Sequence, residues 1–527
     1  MPPKRPNSNV KGLVPKRPPR QSPVQSSKAV GGSTSNASPR KRKLELESAK
    51  DDEEVFTRAK RVVSETKGPH LVHQEDVRIS KAPMKRAKAA AAAEDGAVKT
   101  KTPTALPIIN KAPTQVLQII VFGSGECGEL GLGPSEKEKP RAFLDCGGMH
   151  TVALISDNRI VTWGVNDRGA LGRDMAWDGG LRDVDAESDD EDELLNPVES
   201  TPTQVPADAF PPGTTFVQVV AGDSCSFALT DTGLAMDGDA ECKPRFIFSN
   251  DNLTEVLYKP SLIPGLENIT RLACGANHAI ALDQAGHVWA WGAGQKNQLG
   301  YRLFNSRHYG RRILEGLQPH RVNLRRNKGK HIASGLDHSF AVDQKDNVWA
   351  WGLNRYGQAG YTKDAGSDNT CLPYPMKIPD LAGKGVTILS GGADHSVAVT
   401  ASGQCFAWGR IDGGQLGVEL TDEQSQDDTI TRRDERGLPR ICLRPILVPN
   451  IGTAAYVGCG TGHTIFIDDE GKAYGAGFGS MGQLGIASED DATVAERITG
   501  AAVKGKKLVW CGAGGQFSMV ASPIESP

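Results

Sequence analysis

One pattern recurs seven times between His150 and Phe517 of this 527-residue chain. Each copy reads Gly-x-x-His-Ser-x-Ala-Val, an acidic turn with Gly, Val-x-x-Trp-Gly and then Gly-Gln-Leu-Gly, most clearly at 335–360 and 391–417. The histidine position holds, in order, His150, Cys225, His278, His338, His395, His463 and Phe517. Their spacings are 75, 53, 60, 57, 68 and 54 residues. A period of about 50–60 residues built from short strands is typical of a propeller, in which each repeat supplies one blade.

Incomplete repeats at the two ends predict how such a ring closes. The folded part begins with Val-Phe-Gly at 121–123, which lacks the preceding His strand, and it ends at 514–521, which lacks the Trp-Gly strand. The two halves complete one repeat. We therefore predict an all-β, seven-bladed propeller in which N- and C-terminal strands pair and leave no open sheet edge. The Trp of each repeat is expected to pack between blades.

Two repeats depart from the pattern. Thirteen residues separate Gly133 from Gly147, so the first blade, which contains 121–133, is predicted to lack material for a full set of strands. In the third repeat the expected Tyr-Gly-Trp-Gly is replaced by AMDGDAECKPRF at 235–246. Codons for Ala-Met-Asp-Gly-Asp, read in another frame, permit Tyr or His followed by Gly-Trp-Gly. We hypothesise a frame error or misplaced intron boundary within 235–248, and we expect the third blade to be disrupted.

Charge divides the chain into an arm and a body. Residues 1–111 hold 24 Lys and Arg against 11 Asp and Glu, a net charge of +13, whereas the remainder has a net charge of −15. Residues 1–115 are rich in Pro, Ser, Lys and Ala, so we predict a disordered basic tail, followed by a propeller over 116–521 and a short tail over 522–527. Two interpretations of this tail remain open: an arm that binds DNA phosphate, and a solvated run of charges without a partner. The run Arg40, Lys41, Arg42 and Lys43 predicts a nuclear-import signal for an import receptor.

Two insertions and several absences complete this picture. The loop at 181–196 is acidic, whereas the loop at 301–326 carries seven arginines on an acidic body and is a candidate interaction loop. The ten cysteines form no Cys-x-x-Cys pair, so we expect neither a metal site nor disulfides. This pattern fits a protein of a reducing compartment. We expect no cofactor. No apolar run is long enough for a membrane span. The sequence also lacks the order of Ser, His and Asp that is typical of hydrolases, so we expect no enzyme.

The repeats resemble the regulator of chromosome condensation family, chromatin-bound exchange factors for the small nuclear GTPase Ran. The resemblance covers about 116–521 and depends on five segments: GSGECGELGLG (123–133), GGMHTVAL (147–154), WGVNDRGALGR (163–173), AGDSCSFAL (221–229) and GGQFSMV (514–520). The acidic insertion resembles that of fungal members. The resemblance implies a nuclear, chromatin-associated monomer that binds Ran on one face and accelerates GDP/GTP exchange without covalent chemistry.

Site residues follow from the same resemblance, position by position. The exchange residues fall on Glu126 and Asn277, where the family has Asp, on Asp223, which is unchanged, and on His395. Further GTPase contacts fall on His150, His278, Asp337, His338, Asp394 and Phe517. Nucleosome histones are expected to meet Arg307, Arg311 and Arg312, and DNA phosphate to meet the tail. A His repeated at one position of most blades can equally be a structural hydrogen-bonding group.

Alternative functions remain open at this point. The altered residues Asn277 and Phe517 and the changed third repeat favour a chromatin scaffold without exchange activity. Light sensing, as in a plant relative, needs tryptophans clustered away from the Trp-Gly positions, and the sequence has no consecutive cluster of that kind.

Overall fold

The structure is a computed structural model that describes residues 106–133, 142–166, 169–174, 196–237, 260–302, 316, 318–488 and 490–524. All of these lie in one unit, residues 99–527. The predicted import signal at 40–43, nearly all of the acidic loop, and the predicted histone contacts Arg307, Arg311 and Arg312 lie outside the described residues.

Strands make up almost every described element, and they form seven separate antiparallel sheets, one per blade. Blades are numbered from the sheet that contains β1 (Leu117–Gly123). Blade 2 contains β2 (Ala142–Cys146), β3 (His150–Ile155), β4 (Ile160–Gly164) and β5 (Thr203–Gln204). Blade 3 contains β6 (Phe216–Ala221), β7 (Ser226–Thr230), β8 (Ala235–Asp237) and β9 (Ser261–Leu262). Blade 4 contains β10 (Ile269–Cys274), β11 (His278–Asp283), β12 (Val288–Gly292) and β13 (His320–Val322).

The remaining strands follow their chain order within each sheet, except that in blade 6 β22 lies between β20 and β21. Blades 5, 6 and 7 contain β14 (Gly329–Ser334), β15 (His338–Asp343), β16 (Val348–Leu353) and β17 (Cys371–Lys377); β18 (Val386–Gly391), β19 (His395–Thr400), β20 (Cys405–Arg410), β21 (Thr431–Arg433) and β22 (Pro439–Leu447); and β23 (Ala454–Cys459), β24 (His463–Asp468), β25 (Ala473–Gly477) and β26 (Ala492–Arg497). Blade 1 is completed by β27 (Trp510–Ala513) and β28 (Phe517–Pro523).

Helical structure in the described residues is limited to short connections. Helix α1 (Pro197–Ser200) begins where the Asn196 side chain accepts the N–H of Val198, and α2 (Asp422–Gln426) begins with a capping box between Thr421 and Gln424. Two 3-10 turns cover Ala207–Ala209 and Pro379–Leu381.

Ring closure occurs as the two partial repeats predict. Strand β1 pairs antiparallel with β28 over seven residues, from Leu117 opposite Pro523 to Gly123 opposite Phe517. This sheet has three strands among the described residues, whereas blade 6 has five and every other blade has four. The expected shortage of strands in the first blade therefore agrees with the described part of the chain.

The innermost strands surround a central opening, which we call the axial channel. Neighbouring blades meet through β2, β6, β10, β14, β18, β23 and β27, and β27 returns to contact β2. The channel has a volume of about 540 Å³ and is lined by residues from all seven of these strands. The seven-bladed propeller is thus confirmed.

Tryptophans lock neighbouring blades together, as expected. The indoles of Trp163, Trp351 and Trp408 are fully buried. Each donates its N–H to a backbone carbonyl of the preceding blade: Glu129 at 3.0 Å, Gln298 at 2.8 Å and Gln358 at 2.9 Å, respectively. These carbonyls belong to the Gly-Gln-Leu-Gly segment or its equivalent, so the end of one repeat is joined to the Trp of the next.

The third blade retains four strands despite its altered sequence. Strand β8 is only three residues long, yet it pairs with β7 and β9. Residues 238–259 lie outside the described part, so the hypothesis about 235–248 remains a prediction.

Candidate functional site on the upper face

One end of the ring gathers most of the predicted site residues. In blade 5, His338 pairs with Gly352, so the loop before β15 and the loop after β16 lie at the same end of the blade. We call this end of all blades the upper face. Asp223, Asn277, Asp337 and Asp394 lie in the loops just before β7, β11, β15 and β19, and Glu126 follows β1.

These polar residues differ in their access to solvent. Asp223 and Glu126 are exposed, whereas Asn277 and Asp337 are half-buried. Asp394 is 6% exposed, and its carboxylate accepts two hydrogen bonds of 3.3 Å from Arg355, with Arg410 at 3.8 Å. Asp223 therefore presents the most accessible of the aspartates, and Asp394 is already paired within the chain.

The rim carboxylates affect one another electrostatically. Burial raises the pKa of Asp337, and the charges of Asp223 and Asp394 act in the same direction, while Lys296 and Arg355 oppose them. The tight packing also depends on glycine, because a Cβ at Gly148 would lie 1.8 Å from Asp223 Oδ1. The rim therefore carries carboxylates beside Lys296 and Arg355, and its charged groups can pair with complementary groups of a partner.

The histidines lie beneath this rim, not on it. His150, His278, His338, His395 and His463 are at most 1% exposed. Their Nε2 atoms lie 2.7–3.0 Å from a hydroxyl of the next blade: Ser226, Ser339, Ser396, Thr464 and Ser518, respectively. These pairs bridge neighbouring blades and hold the Gly-x-x-His loops in place.

The bonding pattern also defines the ring tautomer. The hydroxyls of Ser339, Ser396, Thr464 and Ser518 donate to carbonyls of Gln298, Gln358, Gln415 and Gln483, respectively, at 2.8–3.1 Å. Each hydroxyl must then accept the N–H of its histidine Nε2, which places the proton of the neutral ring on Nε2 rather than on Nδ1. Burial lowers the pKa of His278, His338 and His395 to about 3, and that of His150 and His463 to about 4.

The placement of the histidines bears on their predicted roles. His150, His278 and His338 are predicted to contact the GTPase and His395 to act in exchange; in the chain by itself, their side chains are enclosed and bonded inside the ring. Phe517 occupies the same position in blade 1 and is also 0% exposed. A repeated position is recognisable in sequence, whereas its depth below the surface is set by the packing of the neighbouring blade.

An arginine cluster on the same face was missed from the sequence. Arg355, Arg410 and Arg440 lie 5.1, 5.2 and 5.3 Å from the centre of the Tyr356 ring. Arg440 also donates to the Tyr356 hydroxyl at 3.0 Å. Arg355 follows β16 of blade 5, whereas Arg410 ends β20 and Arg440 lies in β22 of blade 6, so their positions in the repeat differ and no periodic signal marks them. The Tyr beside Arg at 355–356 was the available hint.

Apolar side chains are also exposed on this face. Met149, Phe478 and Met481 are 45%, 39% and 43% exposed, respectively. Phe478 and Met481 line a pocket with Asp394 and Arg410. Exposed apolar groups beside charged ones are typical of a protein–protein interface.

The described part of the basic loop has a structural explanation. Arg321 and Arg325 stack 5.0 and 5.9 Å from the rings of Trp289 and Trp349. Within the described ranges, no group of three or more His, Cys, Asp and Glu is arranged to hold a metal ion. No helix in those ranges has the length and apolar character needed to cross a bilayer.

A seven-bladed ring closed by its terminal strands, with Gly-x-x-His loops on one face, defines a propeller of the chromosome-condensation-regulator class. The model of the RCC1-like domain family matches residues 118–520. The chain belongs to this family, which confirms the resemblance read from the repeats.

Relatives of known name support this assignment across the propeller. The chain is 34% identical over 431 residues to the guanine nucleotide exchange factor SRM1 of Saccharomyces cerevisiae, covering 77% of this chain and 87% of the relative. It is 34% identical over 450 residues to protein RCC1 of Candida albicans, covering 79% and 93%. Among solved structures, Prp20p of Saccharomyces cerevisiae, described with its binding to Gsp1p and histones, is 31% identical with a TM-score of 0.66, covering 79% and 93%.

Proposed function

We propose that this chain is a guanine-nucleotide exchange factor for the small nuclear GTPase Ran. The observation that carries the proposal is the charged and apolar upper face in a chain 34% identical to a protein named as an exchange factor. The chain breaks no covalent bond in this role, and it needs no cofactor of its own.

Exchange follows from linkage between two binding equilibria. A protein that binds the nucleotide-free GTPase more tightly than the loaded form must weaken nucleotide binding by the same factor. An acceleration of about 10⁵ needs about 7 kcal/mol of such differential binding. The upper face offers groups for it: exposed carboxylates for basic side chains of the GTPase, and Met149, Phe478 and Met481 for apolar ones.

Individual roles follow from exposure. Asp223 is the principal contact because it is the exposed aspartate of the rim, and Glu126 is a second exposed carboxylate. Asn277 and Asp337 contribute from half-buried positions, and Asp394 acts together with Arg355. His150, His278, His338, His395 and Phe517 are positioning residues. For example, His395 Nε2 lies 2.9 Å from the Thr464 hydroxyl of blade 7, which fixes the end of the loop that carries Asp394.

The remaining segments give the exchange factor its location. We propose that residues 1–115 form a tail that binds DNA phosphate, and that Arg40, Lys41, Arg42 and Lys43 are read by an import receptor. Arg307, Arg311 and Arg312 are proposed to meet an acidic histone surface. The folded part is then 116–521, and the protein acts as a nuclear, chromatin-bound monomer.

The test is release of a fluorescent GDP analogue from purified Ran. We expect the chain to accelerate release, and Asp223→Ala to slow that acceleration by at least tenfold. Asp469→Ala is the matched control, because it removes an exposed carboxylate from a hairpin turn at the opposite end of a blade. Equal activity of the two variants would remove Asp223 from the site.

A scaffold without exchange activity is the competing function. The short β8 strand favours it, because β8 belongs to the altered third repeat, which lacks the expected Tyr-Gly-Trp-Gly. If Ran binds the folded chain but nucleotide release is unchanged, the scaffold assignment replaces the exchange factor.

A further inference from the structure

An arginine lies inside the axial channel. Arg271 belongs to β10, the innermost strand of blade 4, and lines the channel together with His331 of blade 5 and Tyr456 of blade 7. Water reaches the Arg271 side chain, although protein surrounds it. Burial by these surroundings lowers the pKa of Arg271, and Tyr456 is the one group that acts in the opposite direction. The charged guanidinium therefore faces the solvent of the channel and not a packed interior.

The carboxyl groups of the channel do not neutralise this charge. Asp145 and Asp223 are the carboxyl groups among the described lining residues. Asp145 accepts the N–H groups of Ala221 and Cys146 at 2.9 and 3.2 Å, and burial raises its pKa to about 7. Asp223 belongs to the upper loops. Neither forms an ion pair with Arg271 among the described residues.

The neighbours of Arg271 add further hydrogen-bond donors. Arg271 Nη1 contacts His331 Nδ1, and burial together with Arg271 lowers the pKa of His331 to about 3. The imidazole is therefore neutral, accepts at Nδ1 and holds the guanidinium in place. Tyr456 and Trp510 also line the channel. The phenol O–H of Tyr456 can donate a hydrogen bond to an acceptor held there.

We propose that the axial channel binds a small inorganic oxyanion such as phosphate, held by the free N–H groups of Arg271 and the O–H of Tyr456. A guanidinium that faces a channel can pair with an anion held there, and its fork matches the oxygens of phosphate or sulfate. The channel volume of about 540 Å³ leaves room for the anion and its water. This site is separate from the upper-face site and does not depend on the proposed exchange activity.

The first experiment is calorimetric titration of inorganic phosphate into the full chain at constant ionic strength, with chloride as the competing salt. We expect saturable 1:1 binding that Arg271→Gln weakens at least tenfold. Arg321→Gln is the matched control, since Arg321 lies on the outer strand of the same blade and stacks on Trp289. Unchanged binding by Arg271→Gln, or no saturable binding by the unaltered chain, would overturn the proposal.

A second measurement does not depend on the folding of a variant. Crystals of the unaltered chain grown with selenate, a tetrahedral oxyanion like sulfate and phosphate that scatters X-rays anomalously, locate the anion directly. We expect a peak between Arg271 and Tyr456. A selenate bound elsewhere, with the channel holding water alone, would contradict the assignment.

Discussion

His338 Nε2 lies 2.8 Å from Ser396 Oγ, across the boundary between blades 5 and 6. Ser396 in turn donates at 2.8 Å to the Gln358 carbonyl, which also accepts the Trp408 indole N–H at 2.9 Å. Three elements of the repeat, the His-Ser pair, the Gln and the Trp, thus belong to one hydrogen-bonded unit shared by two blades. The repeat pattern is therefore a pattern of contacts between blades as much as within them.

Removing this imidazole should destabilise the ring. We expect His338→Ala to lower the free energy of unfolding by about 2–4 kcal/mol, because it leaves a cavity and removes the partner of a buried hydroxyl. Chemical denaturation measures the loss. His338→Phe is the control that keeps most of the volume, following Phe517 at the same position of blade 1. It should cost less, and equal costs would show that the hydrogen bond contributes nothing beyond volume.

Acid should destabilise the fold through the same histidines. Their folded-state pKa of about 3 or 4 lies below the unfolded value of about 6.5. Between those values the unfolded chain binds more protons, so stability is present above about pH 6.5 and is lost as the pH falls. At pH 5 each buried histidine should cost about 2 kcal/mol. Asp145, whose pKa is raised to about 7, acts in the opposite direction, and its contribution is lost as the pH rises.

Unfolding free energies measured at pH 7 and pH 5 test this dependence. In His338→Phe the difference between the two pH values should shrink by about 2 kcal/mol, since one of five protonation sites is gone. An unchanged difference would show that the histidines titrate normally in the folded chain.

The glycine three residues before each histidine should be intolerant of any side chain. A Cβ at Gly335 would lie 2.1 Å from His338 Cε1, and the imidazole is confined by its bond to Ser396. We expect Gly335→Ala to cost roughly 2–3 kcal/mol of unfolding free energy. Gly500→Ala is the control, because nothing lies within 4 Å of its Cβ position. Similar melting temperatures for both variants would contradict this explanation of the Gly-x-x-His spacing.

Restoring the third repeat should stabilise blade 3. In four other blades the Trp of the repeat stands opposite the residue that follows the histidine position: Thr151, Ala279, Ser339 or Ser396. In blade 3, Phe227 pairs with Asp237, so the sequence position that corresponds to this Trp is 238. We expect M236Y/D237G/G238W/D239G to raise the free energy of unfolding by roughly 3 kcal/mol through burial of the indole. The same variant without Gly238→Trp is the control, and thermal unfolding is the measurement. No gain over that control would count against the frame hypothesis.

The ring and its closure could be predicted because they depend on order and spacing. The isolated Val-Phe-Gly at 121–123 and the truncated repeat at 514–521 were enough to indicate that β1 joins β28. The loops that carry Asp223 and Asp337 follow equally from their place before the histidine position, and the structure places them on one face.

Depth and loop clustering could not be predicted. The repeat pattern does not show which of its polar residues are exposed. Asp223 in blade 3 is exposed, whereas His338 in blade 5 is fully enclosed, because the next blade covers its imidazole. The Arg355 and Arg440 side chains meet at Tyr356 although 85 residues separate them, and the intervening loop lengths carry no period.

The pairing of β1 with β28 has a consequence for how the protein is made. Leu117 and Pro523 are partners separated by about 400 residues of chain. At a synthesis rate of roughly 5–20 residues per second, β1 waits roughly 20–80 seconds on the ribosome before its partner exists. During that interval its edge is open to wrong partners, and the contact is slow to form because it spans nearly the whole domain. The first strand to be synthesised is the last to be secured, so assembly of the ring depends on what protects that strand in the meantime.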